Sequence, residues 1–82
     1  MIRIHPHAIQ RMEERCATTD EVYATVEHGE VFPAKFGRSG FRRNFLYDND
    51  FGGKHYHTKQ VEVFAVQEES DWVVITVITR FF

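Results

Sequence analysis

The chain has 82 residues, 43% of them hydrophobic and 15% aromatic, with a net charge of −2 and a pI of about 6.2. That length makes one domain around one core, burying roughly 60–65% of the surface its unfolded form exposes. The charge excludes the broad basic footprint, with pI above ~9, by which nonspecific nucleic-acid binders capture phosphate, so any RNA role must rest on a local cluster. The single cysteine, Cys16, excludes an intramolecular disulfide and a cysteine-built zinc site. No run approaches the ~20 apolar residues of a membrane span, and no signal-peptide pattern opens the chain. A cytoplasmic location is therefore expected.

Met1 to Ile4 reads as a short strand, and Pro6 suits the first turn of a helix, where its missing N–H costs nothing. Ala8, Ile9, Met12 and Cys16 recur at helical spacing and define a buried stripe, with Arg11 and Arg15 one turn apart on another face. Thr18-Thr19-Asp20-Glu21 is a capping box that opens a second helix, and Gly29 is expected to end it as a left-handed cap. From Glu30 the pattern changes to strand: Val31 to Phe36, Phe41 to Tyr47, Lys59 to Gln67 and Trp72 to Arg80, with residues 48–53 a loop rich in turn formers. Strict alternation places Val61, Val63 and Ala65 on one face, and Phe64 and Val66 on the other. In the last strand it groups Val73, Ile75 and Val77 apart from Trp72, Val74, Thr76, Ile78 and Arg80. Two helices followed by strands predict an α+β fold, two N-terminal helices packed on a four-stranded, mainly antiparallel sheet.

Arginine makes up seven of the ten cationic residues, and its planar fork suits phosphate better than the lysine ammonium does. A helix bearing Arg11 and Arg15, beside a strand that ends on Arg80, could hold a phosphate. The pattern His5, Ala8, Arg11-Met12, Arg15, Glu21-Val22 and Gly29, with Lys59 to Val63 and Val74 to Arg80, resembles the domain of unknown function 4258 family of small bacterial proteins. That family in turn resembles RelE-type toxins and other small metal-independent ribonucleases. The resemblance implies an endoribonuclease, the toxin half of a toxin–antitoxin pair, with its site on the open face of the sheet. On that reading RNA is the substrate, and an antitoxin or a second copy of the chain is the protein partner. Its polar set would be His5, Arg11, Arg15, Thr76 and Arg80.

Metal-independent cleavage of RNA needs a base for the 2′-hydroxyl, an acid for the leaving oxygen and cations around the phosphorane. His5 is the candidate base or acid. Arg11, Arg15 and Arg80 are the candidate phosphate clamps. Thr76 is placed to orient a phosphate oxygen, and Arg43, Lys59 and His57 are candidate RNA contacts. No cofactor is implied. The alternative assigns Arg11 and Arg15 to ion pairs with Glu13, Glu14 or Asp20, makes His5 a helix cap, and reads the chain as a non-catalytic protein- or nucleic-acid-binding module. Net acidity and the lack of an obvious second general acid favour that alternative.

Two further patterns stand out. His5-x-His7 and His55-x-His57 could together offer four imidazoles to zinc, although hydrogen-bonded or solvated histidines are the simpler reading. Phe41, Arg43, Phe45 and Tyr47 share one strand face, and Arg42, Asn44 and Leu46 the other. Aromatics at period two are commonly core, which singles out Arg43 among them. Asp48, Asp50, Glu68, Glu69 and Asp71 read as solvated turn residues.

Overall fold

A computed structural model describes residues 1–82. The elements are β1 (Ile2–Ile4), α1 (Pro6–Glu14), α2 (Thr19–His28), β2 (Glu30–Pro33), β3 (Ser39–Phe51), β4 (Lys54–Glu68) and β5 (Asp71–Phe81). The fold is α+β, as expected, but its sheet has five strands in the order β1-β5-β4-β3-β2. The fifth is the N-terminal segment, which pairs parallel to β5 through Ile2↔Trp72 to Ile4↔Val74 and makes the sheet mixed. The other three pairings are antiparallel. No helix is long and apolar enough to cross a membrane.

Both helices lie on one face. Ala8 and Met12 of α1, Ala17 of the connector, and Val22 and Val26 of α2 form a single buried cluster with Phe41, Val61, Val63, Ala65, Val74 and Val77 of the sheet. The α2 capping box forms as expected: the Thr18 hydroxyl accepts from Glu21 N–H and the Glu21 carboxylate accepts from Thr18 N–H. Two expectations about helix ends are corrected. Gly29 closes α2 in an extended conformation, φ −77°, and is not a left-handed cap. A glycine is needed there because a Cβ would strike the backbone oxygens of Thr25 and Arg42, where the helix end crosses β3. Cys16 is exposed and left-handed, φ 59°, in the connector; it terminates the first helix and does not extend its buried stripe.

The strands run further than their apolar patterns suggest. Residues 48–51 continue β3, and Gly52 and Gly53, at φ 62° and 81°, make the tight hairpin turn for which paired positive φ values are required. At ~3.3 Å per residue, strands of 13 and 15 residues carry this hairpin beyond the helices and set the 42 Å long axis of the molecule. A bulge in β5 opposite Phe64 and Ala65 leaves Ile75 unpaired in the register. It turns Trp72 and Val74 to the covered face while Thr76, Ile78 and Arg80 stay on the bare one, correcting the strict alternation.

Candidate functional site on the helix-free face

The bare face of the sheet carries three cross-strand rows. Gly40, Phe64 and Thr76 are in register, then Arg42, Glu62 and Ile78, then Asn44, Gln60 and Arg80. Glu62 is the chemical centre. It is 4% exposed although no helix covers it. Arg42 donates from Nε and an Nη to Glu62 Oε2 at 2.9 and 2.7 Å, and Arg80 donates to Glu62 Oε1. Arg42 also stands 3.7 Å from the Glu30 carboxylate and 4.5 Å above the Phe32 ring. A buried carboxylate held by two guanidinium groups has its lone pairs satisfied, the condition for leaving such a charge out of water.

Beside this triad the β2–β3 loop, residues 34–38, folds over the face. Ala34 N–H donates to Arg38 C=O and Arg38 N–H donates to Lys35 C=O, both at 3.3 Å. The loop and the sheet flank an open, shallow cavity of about 380 Å³ lined by Phe32, Phe36, Phe64, Thr76, Lys35 and Arg38, among others. Phe32 and Phe64 meet edge to face at 5.9 Å. Phe32 lies so flat over β3 that a Cβ at position 40 would enter its ring, which explains Gly40. Phe36, with a left-handed backbone at φ 62°, is 85% exposed at the loop tip, and Arg38 sits 5.9 Å over its ring. No carboxylate pairs with Lys35 or Arg38. Aromatic faces beside unneutralised cations suit a ligand that is both planar and anionic.

Of the residues anticipated from sequence, Arg80 and Thr76 lie on this face. The others are elsewhere. His5 caps α1, its Nδ1 accepting from His7 N–H at 3.1 Å. Arg11 pairs with Glu14 at 2.9 Å. Arg15 donates to the Val77 carbonyl at 2.7 Å, while Thr79 donates to the Arg15 carbonyl at 2.8 Å, which ties the end of α1 to the edge of β5 left free where β1 stops. So α1 does pack against the last strand, but Arg80 projects from the opposite face and the two cationic ends do not converge. Arg43 is on the covered side, 5.5 Å over Phe45. Lys59 is 4% exposed and pinned to the Cys16 carbonyl and, at 2.7 Å, to Glu21; it braces the helix connector. His57 stands at the far end of the β3–β4 hairpin.

Glu62, Phe32, Phe64 and Lys35 were not anticipated, and of the cation–aromatic run Arg38 to Arg43 only Arg43 was singled out. One signal was legible: Glu62 interrupts the apolar run Val61 to Val66, and a lone acid in a central strand requires a partner. At the hairpin tip, His55 has its pKa raised above the ordinary histidine value of 6.5 by hydrogen bonds to Asp48 and Asp50. Those two aspartates, expected as solvated turn residues, hold a histidine; Glu68 and Asp71 both pair with Arg3.

The family described as "Domain of unknown function (DUF4258)" matches residues 4–79. No curated protein and no solved structure matches the chain.

Proposed function

The chain belongs to the domain of unknown function 4258 family, and we propose that it binds single-stranded RNA on the helix-free face of its sheet. One observation carries this reading: an aromatic cavity rimmed by Lys35 and Arg38, two cations that no carboxylate neutralises. Bases stack on Phe36 and lie against the partly exposed rings of Phe32 and Phe64, the phosphates lie against Lys35 and Arg38, and Thr76 donates its hydroxyl from the floor. The site is small and local, which accommodates an acidic chain.

A second reading is favoured by Glu62. In a metal-independent endoribonuclease of RelE-like type, the toxin of a toxin–antitoxin pair, a carboxylate can take the 2′-hydroxyl proton while arginines stabilise the phosphorane. Glu62 would be that base, in place of His5, with Arg80 and Arg42 on the phosphate. The outer edge of β2, the last strand of the sheet on that side, would then offer an antitoxin strand, or a second copy of the chain, a place to add. The histidine that borders this face, His28, lines a groove with Arg42, Asn44 and Gln60 but shares no hydrogen bond or ion pair with Glu62, so binding takes precedence over cleavage.

One experiment separates the two. A labelled single-stranded RNA is titrated with protein in EDTA, with anisotropy reporting binding and gel electrophoresis reporting integrity. Binding is expected, weakened by about 1–3 kcal/mol in Phe36→Ala, with the RNA intact. Cleavage that disappears in Glu62→Gln and Arg80→Ala would install the ribonuclease instead. A folded protein that neither binds nor cuts would overturn both readings.

A further inference from the structure

The tip of the β3–β4 hairpin lies far along the molecule from the aromatic cavity and carries a separate piece of chemistry. Asp48, His55 and His57 each offer one ligand atom, and the three atoms lie within 4.8 Å of one another. We infer that they form a binding site for a first-row transition metal ion of the zinc type, open to solvent at its remaining positions. Two imidazole nitrogens and one carboxylate oxygen suit zinc and its neighbours, whereas magnesium and calcium take oxygen alone.

Four features argue for a built arrangement. The first is a bulge: the β3–β4 register slips between Leu46 and Asn49, so Asp48 drops out of the ladder. With its backbone left-handed at φ 43°, it turns its carboxylate across to β4. The second is strand alternation, which puts His55 and His57 on one side of β4, their rings 5.5 Å apart at 82°. Asp48 Oδ1 is 2.8 Å from His55 Nε2 and 3.7 Å from His57 Nδ1, so it sits between them. The third is Asp50, whose Oδ1 lies 3.0 Å from His55 Nδ1. A carboxylate on the outer nitrogen of an imidazole holds the proton there, so that an ion arriving at Nε2 displaces only the proton that pairs it with Asp48 and takes up the lone pair. The fourth is support from below: Phe81 stacks on Phe51 at 4.4 Å and leans on Tyr47 at 4.9 Å, so the end of β5 steadies the protruding hairpin.

Zinc bonds of ~2.0–2.1 Å to nitrogen put tetrahedral ligands roughly 3.3 Å apart. The 2.8 and 3.7 Å separations from Asp48 Oδ1 bracket that value, and His57, whose side chain is 82% exposed, adjusts by side-chain rotation. The ion would bridge β3 to β4 at the weakest end of the hairpin.

The test is calorimetric titration of the full chain, stripped with EDTA and then freed of chelator, with zinc chloride. One ion per chain is expected, with a rise in melting temperature on zinc addition. His55→Ala and His57→Ala should each weaken binding at least tenfold, and Asp50→Asn, which touches no metal, by about 10–100-fold. A His5→Ala, His7→Ala double variant should bind as the parent does. The variants lie on an exposed hairpin, and circular dichroism confirms their folding. A dissociation constant weaker than about 1 mM would overturn the site. So would zinc binding that survives the His55→Ala, His57→Ala double variant. Neither result bears on RNA binding, whose residues are distinct.

Discussion

At the scale of a residue, Glu62 illustrates how a charge can be stable at a surface yet out of water. Its two oxygens are divided between Arg42 and Arg80, and those arginines keep partial access to solvent. Removing the carboxylate therefore does not strand them as it would in a closed core. Glu62→Ala should cost about 2 kcal/mol, less than the 3–5 kcal/mol of breaking a fully enclosed pair, while Arg80→Ala should cost less because Arg42 still holds the acid. Urea unfolding of the three proteins checks the order. Both residues were legible only in part. Arg80 stands out as the terminus of an apolar strand, but strict alternation groups it with Trp72 and Val74, which the bulge turns to the other face, and its partner Glu62 is hidden because pairing across β4 depends on a register that local patterns do not specify. Lys59 shows the opposite case. It reads as a solvated cation near RNA, whereas folding carries it under the helix connector to Glu21 and the Cys16 carbonyl.

At the scale of an element, the helices were legible because their start signals are chemical: Pro6 after a cap, and the Thr18–Glu21 box. Strand ends were less so. Residues 49–51 and 54–56, polar apart from Phe51 and Tyr56, look like loop, yet pair as the outer end of a long hairpin whose side chains are mostly in water. Period-two apolarity marks only the half of a strand that meets the core. The β5 bulge was hidden for a related reason, since both phases of Trp72 to Ile78 are apolar and a one-residue slip leaves no trace in the pattern. Where a helix end meets the sheet, the constraint is steric. Gly29→Ala places a methyl against the backbone oxygens of Thr25 and Arg42, neither of which can rotate away. The expected loss is about 1–3 kcal/mol, even though alanine is the better helix former. Because the shift passes into β3 beside Arg42, the same variant should also weaken RNA binding. A thermal melt together with the anisotropy titration checks both effects.

At the scale of the whole molecule, charge and architecture pull in different directions, and that tension yields a quantitative expectation. The net charge of −2 gives no long-range attraction for a polyanion, so binding must come from contacts at the cavity. At most four cations are in position: Lys35 and Arg38 at its rim, and Arg42 and Arg80 in the two rows alongside. Each phosphate neutralised on a single strand contributes about −0.7 to the slope of log K against log salt. Four contacts would give roughly −2.8, and two, with Arg42 and Arg80 still committed to Glu62, roughly −1.4. The geometry favours the lower magnitude, because the buried Glu62 carboxylate outcompetes a screened phosphate for its two arginines. Anisotropy titrations between low and moderate salt should therefore show a slope near −1.4, falling towards zero in the Lys35→Gln, Arg38→Gln double variant while stacking on Phe36 preserves a residual, salt-insensitive affinity. A slope close to −2.8 in the parent would mean that RNA displaces the Glu62 pairing. That displacement would free the carboxylate beside the bound phosphate, the arrangement a ribonuclease base requires.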